Sequence, residues 1–152
     1  VNGVSVFFRG ENLIIADSIL SNTDAAYWEK LIRNCLKSNL NGIRVWGGAY
    51  YPPDVFYDLC DRNGILIYQD FMFACSFYYI FDGFLENVRQ ELEDNLSRIA
   101  HHACIGLLCG NNEIDGIYTV GSATEPATAA LRILVGAGSP AGGYPEVSLE
   151  QL

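Results

Sequence analysis

The chain has 152 residues, half of them hydrophobic and 12% aromatic, which is enough for one domain with a buried core. Only 18% of the residues are charged, and this argues against a disordered chain. The formal net charge of −9 argues against a nucleic-acid partner, because nucleic acids select basic surfaces. The composition is compatible with a neutral ligand such as a sugar but does not indicate one.

The chain begins with Val1-Asn2-Gly3, without a methionine or the charged start of a signal peptide. We therefore expect the natural chain to begin earlier. The most apolar run, 71–81, is shorter than the roughly 20 residues that cross a bilayer. The sequence thus predicts a soluble protein without a membrane partner, and it does not indicate a compartment.

Four short apolar segments rich in β-branched or aromatic residues are predicted to be strands. They span residues 4–8, 43–46, 65–68 and 105–109. Amphipathic patterns lie between them, with apolar residues at steps of three and four that are typical of helices. The cysteines fall mostly at apolar positions and lack CxxC spacing, so buried thiols are predicted rather than disulfides. They are Cys35, Cys60, Cys75, Cys104 and Cys109.

Start and stop signals bound the three predicted helices. The segment 21–24 has capping-box spacing before the first helix. Pro52-Pro53 opens the second helix, which Asn63-Gly64 ends. Asp82 is positioned to cap the third helix.

Strand and helix alternate over residues 1–118, which predicts parallel β/α units joined by right-handed crossovers. Both a doubly wound sheet and a (β/α)8 barrel of the TIM type fit this pattern, and periodicity alone does not choose between them. A doubly wound nucleotide-binding domain is disfavoured because no phosphate-binding glycine motif is present. Residues 119–152, rich in small residues, are expected to form a loop-rich tail.

In parallel β/α folds the loops that follow the strands leave from one edge, and active sites gather there. Trp46, Asp70 and Glu113 stand at such strand ends. Strand alternation places Arg44 on the same side as Trp46, beneath the edge. A buried arginine needs a carboxylate partner. A structural ion pair and a contact with substrate are equally compatible with this position.

Hydroxyl-rich ligands need donors and acceptors, and the run Asn111-Asn112-Glu113 offers several. Trp46 offers a flat face that can stack on a sugar ring or pack in the core.

His101 and His102 end the third helix, where capping is favoured over metal binding. Asp58 and Asp61 fit a helix surface. The cysteines lack zinc-site spacing, so neither a metal nor a cofactor is expected.

Several motifs in one order resemble the catalytic domain of the β-mannosidases of glycoside hydrolase family 2. The most specific are Gln69-Asp70-Phe71-Met72-Phe73-Ala74-Cys75 and Cys109-Gly110-Asn111-Asn112-Glu113. Weaker matches are Phe8-Arg9-Gly10-Glu11-Asn12, Arg44-Val45-Trp46-Gly47-Gly48 and Phe56-Tyr57-Asp58-Leu59-Cys60-Asp61. Together the motifs cover roughly residues 1–115.

The resemblance implies the first four units of a (β/α)8 barrel, with residues 1–118 as half of a glycosidase domain. It also implies hydrolysis of terminal, non-reducing β-D-mannose residues by a retaining mechanism with two carboxylates. In this family Glu113 would be the general acid/base, and Asn112 would bind the sugar near its 2-hydroxyl. Trp46 would line the terminal-sugar subsite, and Arg44 would support the catalytic carboxylates.

Three positions depart from the family pattern: Leu108 and Leu13 stand where tryptophans are expected, and Ala49 replaces a glycine. The resemblance places the nucleophile, a glutamate, on a late strand that this chain does not contain. We therefore expect no turnover from this chain alone. A β-galactosidase or β-glucuronidase specificity remains an alternative, as does a non-catalytic carbohydrate-binding or interaction remnant.

Overall fold

The computed structural model describes residues 1–76, 78–79 and 81–114. Within them, four parallel strands form one sheet in the order β1-β2-β3-β4. The strands are Gly10–Leu13, Gly42–Val45, Leu66–Asp70 and Ile105–Cys109, and the helices α1, α2 and α3 are Ala25–Lys37, Asp54–Asn63 and Phe84–Ile99. The predicted alternation of parallel strands and helices is confirmed. The predicted tail, 119–152, lies outside the described residues.

The main core lies between the helices and one face of the sheet. Ile43, Val45 and Ile67 project from β2 and β3 and are almost fully buried. Trp28 of α1 and Phe56 of α2 cover them, and their rings meet edge to face with centroids 5.2 Å apart. Because side chains alternate along a strand, this packing fixes which residues point to the opposite face.

The opposite face carries the polar residues of the sheet. Arg44 of β2 pairs in register with Tyr68 of β3. The guanidinium of Arg44 lies over the Tyr68 ring, 5.1 Å from its centroid. Both side chains are only partly buried, and Leu107 of β4 is 47% exposed. No described helix covers this face.

A bulge interrupts the pairing of β3 with β4. Ile67 pairs with Ile105, but its neighbour Tyr68 pairs with Leu107, so Gly106 is an extra residue in β4. The shifted register continues to Asp70, which lies opposite Cys109. The carboxyl end of β4 therefore presents Cys109 on the same face as Asp70.

The first strand is not where the apolar pattern predicts it. The predicted segment 4–8 is outside the sheet, and Val4 and Phe7 are 67% and 79% exposed. The observed β1 is the more polar Gly10–Leu13, aligned with β2 residue by residue. The Asn41 side chain accepts from the backbone N–H of Arg9 and donates to the carbonyl of Phe7. These contacts hold the apolar segment beside the β2 entrance without a ladder, so tertiary contacts override β propensity here.

Helix termini follow the sequence signals with local differences. Asp24 itself caps α1, accepting from the Tyr27 N–H, whereas 20–22 form a 3-10 turn rather than a capping box. Gly64 ends α2 in the left-handed conformation, as the Asn63-Gly64 pair predicts. Gly83, not Asp82, precedes α3. No helix among the described residues is long and apolar enough to cross a membrane.

His102 does not have the capping role predicted for it, whereas Asp61 lies on the exposed surface of α2 as predicted and also bonds His102. The His102 ring is nearly buried and its Nδ1 lies 2.7 Å from an Asp61 oxygen, while the other oxygen accepts from the Cys104 N–H. The end of α2 is thus tied to the loop before β4. Burial opposes ionisation of Asp61, but the hydrogen bonds from His102 and Cys104 outweigh it and lower the pKa of this carboxyl.

Because the pKa of Asp61 is lower in the folded state, its contribution to stability is complete above pH ~4 and is lost as the pH falls further. Asp61→Asn is expected to lower the free energy of unfolding by about 1–2 kcal/mol at neutral pH. The difference from the unmodified protein should shrink below pH ~4. Urea titrations at several pH values measure it. Asp58→Asn, on the same helix in a weak exposed pair with Arg62, is the control and should change little.

Candidate active site

The carboxyl edge of the sheet brings three chain segments together. Trp46 follows β2, Asp70 is the last residue of β3, and Asn112 and Glu113 follow β4. The segment after β3 joins the segment after β4 through a parallel bridge between Ala74 and Asn112. The predicted convergence at one edge is therefore observed for these loops.

Asp70 is the fully buried charge of this edge. Its two oxygens accept from Nε and Nη2 of Arg44, at 3.1 and 2.7 Å. The backbone N–H of Gly47 donates to Asp70 at 3.0 Å. A bidentate guanidinium and a backbone donor are the partners that an ionised carboxylate requires when it is buried. The carboxylate partner predicted for Arg44 is thus Asp70.

Burial and pairing act in opposite directions on this ion pair. Burial raises the pKa of the Asp70 carboxyl above its usual range, against the opposing effects of Arg44 and Gly47. Burial lowers the pKa of Arg44, but the hydrogen bonds that Arg44 donates to Asp70 and the negative charge around it together outweigh burial and raise this pKa. The three short donor contacts to Asp70 favour the charged pair, and they make the carboxylate dependent on Arg44.

Asn112 extends this pair toward the next loop. Its side-chain oxygen accepts from Nη2 of Arg44 at 2.9 Å, and its nitrogen donates to the Cys75 sulfur at 3.1 Å. The backbone also locks the two loops, since the Asn112 N–H donates to Phe73 and the Cys75 N–H donates to Asn112. Asn112 is nearly buried, so this arrangement is held from several sides.

Glu113 stands at the outer end of the same chain of contacts. It is exposed, and one carboxylate oxygen lies 3.6 Å from the Cys75 sulfur. Both Glu113 and Cys75 have positive φ values, 60° and 48°, which are uncommon for residues other than glycine. Strained backbone of this kind is often retained where a side chain must be aimed at a ligand.

Trp46 lies beside this network without belonging to it. The indole is half-buried and folds back over Gly48, where any β-carbon would collide with the ring. A β-carbon on Gly47 would come within 2.7 Å of the backbone oxygens of Phe71 and Phe73. Gly47 therefore allows the loop after β2 to approach the loop after β3 closely, and Gly48 leaves room for the Trp46 ring.

The structure joins Arg44 and Asn112 directly and reaches Glu113 through Cys75. Sequence reasoning missed Cys75, which is exposed rather than buried as predicted, and its place in the Asp70 motif was the only signal for it. Asn111 also differs from a simple surface loop: it is buried and its side chain accepts from the Ile114 N–H.

One described group has the residue types of a metal site. Asp61, His102 and Cys104 have ligand atoms within 4.8 Å of one another, at the edge opposite Glu113. Both Asp61 oxygens already accept hydrogen bonds, and burial raises the pKa of the Cys104 thiol. Because a thiol must ionise to bind a metal well, these contacts fit a structural link better than a metal site.

Comparison with known sequences finds several β-mannosidases similar to this chain, although no family model matches it. The β-mannosidase of Bos taurus is 40% identical over 121 residues, which are 80% of this chain and 14% of that protein. The β-mannosidase of Rattus norvegicus is 41% identical over 113 residues, 74% of this chain and 13% of that protein. The chain thus spans about one seventh of the length of the first of these relatives.

Solved structures agree with this similarity. The β-D-mannosidase from Dictyoglomus thermophilum matches with a TM-score of 0.71 and 42% identity, over 74% of this chain and 14% of that one. β-Glucuronidase 3 from Bacteroides uniformis matches with a TM-score of 0.66 over 75% of this chain and 14% of that one. The second match, at 19% identity, shows the shared fold alone.

Proposed function

This chain is a β-mannosidase-like segment, and we propose that it supplies the acid/base half of the active site of a retaining β-mannosidase. The substrate would be a terminal, non-reducing β-D-mannosyl residue. The observation that carries the proposal is the continuous network from Asp70 through Arg44 and Asn112 to the loop that holds Glu113.

The sheet supports a place in a (β/α)8 barrel. Its helices cover one face only among the described residues, and the other face carries Arg44, Tyr68 and Asp70. In a barrel that second face would point inward, where side chains from further strands would cover it. Residues 1–118 would then be half of a glycosidase domain, as the similarity to mannosidase segments suggests.

Glu113 would act twice in the reaction. As an acid it would protonate the departing glycosidic oxygen while a second carboxylate, outside the described residues, attacks the anomeric carbon. As a base it would then take a proton from the water that releases mannose from the glycosyl-enzyme. Its exposed position at the strand edge would allow a ligand and water to reach it.

Asn112, Arg44 and Trp46 would bind or support the sugar. Asn112 would contact it near the 2-hydroxyl, and the half-buried Trp46 indole would line its subsite. Arg44 is engaged with Asp70 and Asn112, so its part would be to support the site from below.

The test uses the longest natural polypeptide that contains residues 1–114, called the parent polypeptide below. We expect it to release the aryl group from an aryl β-D-mannoside at least tenfold faster than from the matching β-D-galactoside and β-D-glucuronide, since one misplaced sugar hydroxyl leaves polar groups unpaired. Steady-state kinetics on this panel measure the preference. Equal or faster turnover of another glycoside would assign a different specificity, and calorimetric binding of mannose without turnover would support a non-catalytic carbohydrate-binding protein.

The 152-residue chain alone is expected to show no turnover of the aryl β-mannoside, because the proposed mechanism needs a second carboxylate. The measurement is release of the aryl group compared with a Glu113→Gln form of the same chain. Release clearly above that control would mean that the chain supplies both carboxylates by itself.

A further inference from the structure

The side-chain amide of Asn112 has a defined orientation, with its oxygen and its nitrogen on fixed sides. Its two ends have nearly the same shape, so the groups around it decide which end faces which way. Arginine carries only donors, and the Asn112 atom that faces Nη2 of Arg44 is the oxygen, at 2.9 Å. The nitrogen therefore points away from Arg44, toward Cys75.

Arg44 can fix this orientation only if it is itself held in place. The Asp70 carboxylate accepts hydrogen bonds from two nitrogens of Arg44, and it also accepts one from the Gly47 N–H. Nη2 serves both Asp70 and Asn112, so the position set by Asp70 is transmitted to the amide oxygen. Asp70 itself is fully buried and belongs to the layer beneath the edge.

We propose that Asp70 is a positioning residue that acts through Arg44 to hold Asn112 as a hydrogen-bond donor toward the sugar. This rests on the proposed function. The Asn112 nitrogen carries two hydrogens and meets a thiol, a weak acceptor. A sugar hydroxyl oxygen at that point would be a stronger acceptor. Without Asp70, Arg44 would lose its fixed position and the amide could present its oxygen instead.

The experiment compares 4-nitrophenyl β-D-mannoside with its 2-deoxy analogue in the parent polypeptide. The experiment measures kcat/KM for the mannoside divided by kcat/KM for the 2-deoxy analogue. A general loss of folded protein or of acid catalysis affects both values equally and cancels in this ratio. Asn112→Ala is the reference and should lower the ratio about tenfold, the effect of one lost hydrogen bond. Asp70→Asn should lower it by a similar factor, and the double variant should lower it no further.

Arg44→Lys is the second variant, for the case that Asp70→Asn does not fold. Lysine keeps the positive charge but lacks the planar guanidinium that donates to both oxygens of Asp70, so the ratio should fall in this variant too. An unchanged ratio in whichever of these variants folds, with a lowered ratio in Asn112→Ala, would overturn the inference and leave the proposed function standing. An unchanged ratio in Asn112→Ala would also overturn it. A parent polypeptide that hydrolyses neither substrate would remove the proposed function together with the inference.

Discussion

Glu113→Gln is expected to reduce kcat/KM of the parent polypeptide for 4-nitrophenyl β-D-mannoside by about 10²–10⁴-fold, the usual contribution of a general acid/base. The loss should be smaller for the 2,4-dinitrophenyl substrate, whose leaving group needs little protonation. Glutamine keeps the shape of the side chain but cannot donate an acidic proton. Steady-state rates with both substrates measure the effect.

A second exposed glutamate provides the control for this variant. Glu29 is exposed on α1, in the helical layer that covers the other face of the sheet, so Glu29→Gln should leave both rates within about twofold. If Glu113→Gln kept its turnover of both substrates, another group would have to be the acid. A loss of the same size with both leaving groups would indicate a structural effect.

Arg44→Met is expected to lower the free energy of unfolding by about 3–5 kcal/mol at neutral pH, because it leaves a fully buried carboxylate without its cation. Methionine retains much of the apolar stem of arginine, so the loss reports mainly on the charged guanidinium and its contacts. Urea titration followed by circular dichroism measures it. The matched control is Arg89→Met on α3, whose exposed pairs with Glu86 and Glu93 are screened by solvent, so this variant should change the stability little.

The stability loss caused by Arg44→Met should depend on pH in a defined direction. Burial already raises the pKa of Asp70, and loss of Arg44 raises it further. The folded variant then binds a proton at Asp70 more readily than the unfolded chain does. Its deficit should be largest above this raised pKa and should shrink as the pH falls toward ~4, the ordinary range of an aspartate. A deficit that grows on acidification would contradict the burial of a charged Asp70.

Sequence patterns predicted most of the fold because the helix-facing positions repeat strictly. Ile43 and Val45 alternate with Arg44, and this order alone indicated which side chains would point to the core. The proline and glycine signals around α2 also gave its ends closely. Local sequence signals were sufficient to predict these features because each residue concerned is favoured in one structural position only.

The differences arise where distant contacts decide. The segment 4–8 has strong β propensity, but Asn41 binds its backbone and β1 forms further along the chain. Neither the bond between His102 and Asp61 nor the exposure of Cys75 could be predicted from spacing, since each depends on how two loops meet. At the site, sequence placed the residues at one edge but could not choose the partner of Arg44 or the orientation of the Asn112 amide.

The bulge at Gly106 in β4 determines on which face of the sheet the following side chains lie. Side chains alternate between the two sides of a strand, and because the bulge leaves Gly106 unpaired, Leu107 and Cys109 lie opposite Tyr68 and Asp70 and share their face of the sheet. If the pairing continued without the bulge, Gly106 would lie opposite Tyr68 and Leu108 opposite Asp70. Cys109 would then turn toward the helices, and Asn112 would lose its approach to Arg44. The way in which β4 accommodates one extra residue thus determines from which face of the sheet the loop that carries Asn112 and Glu113 continues.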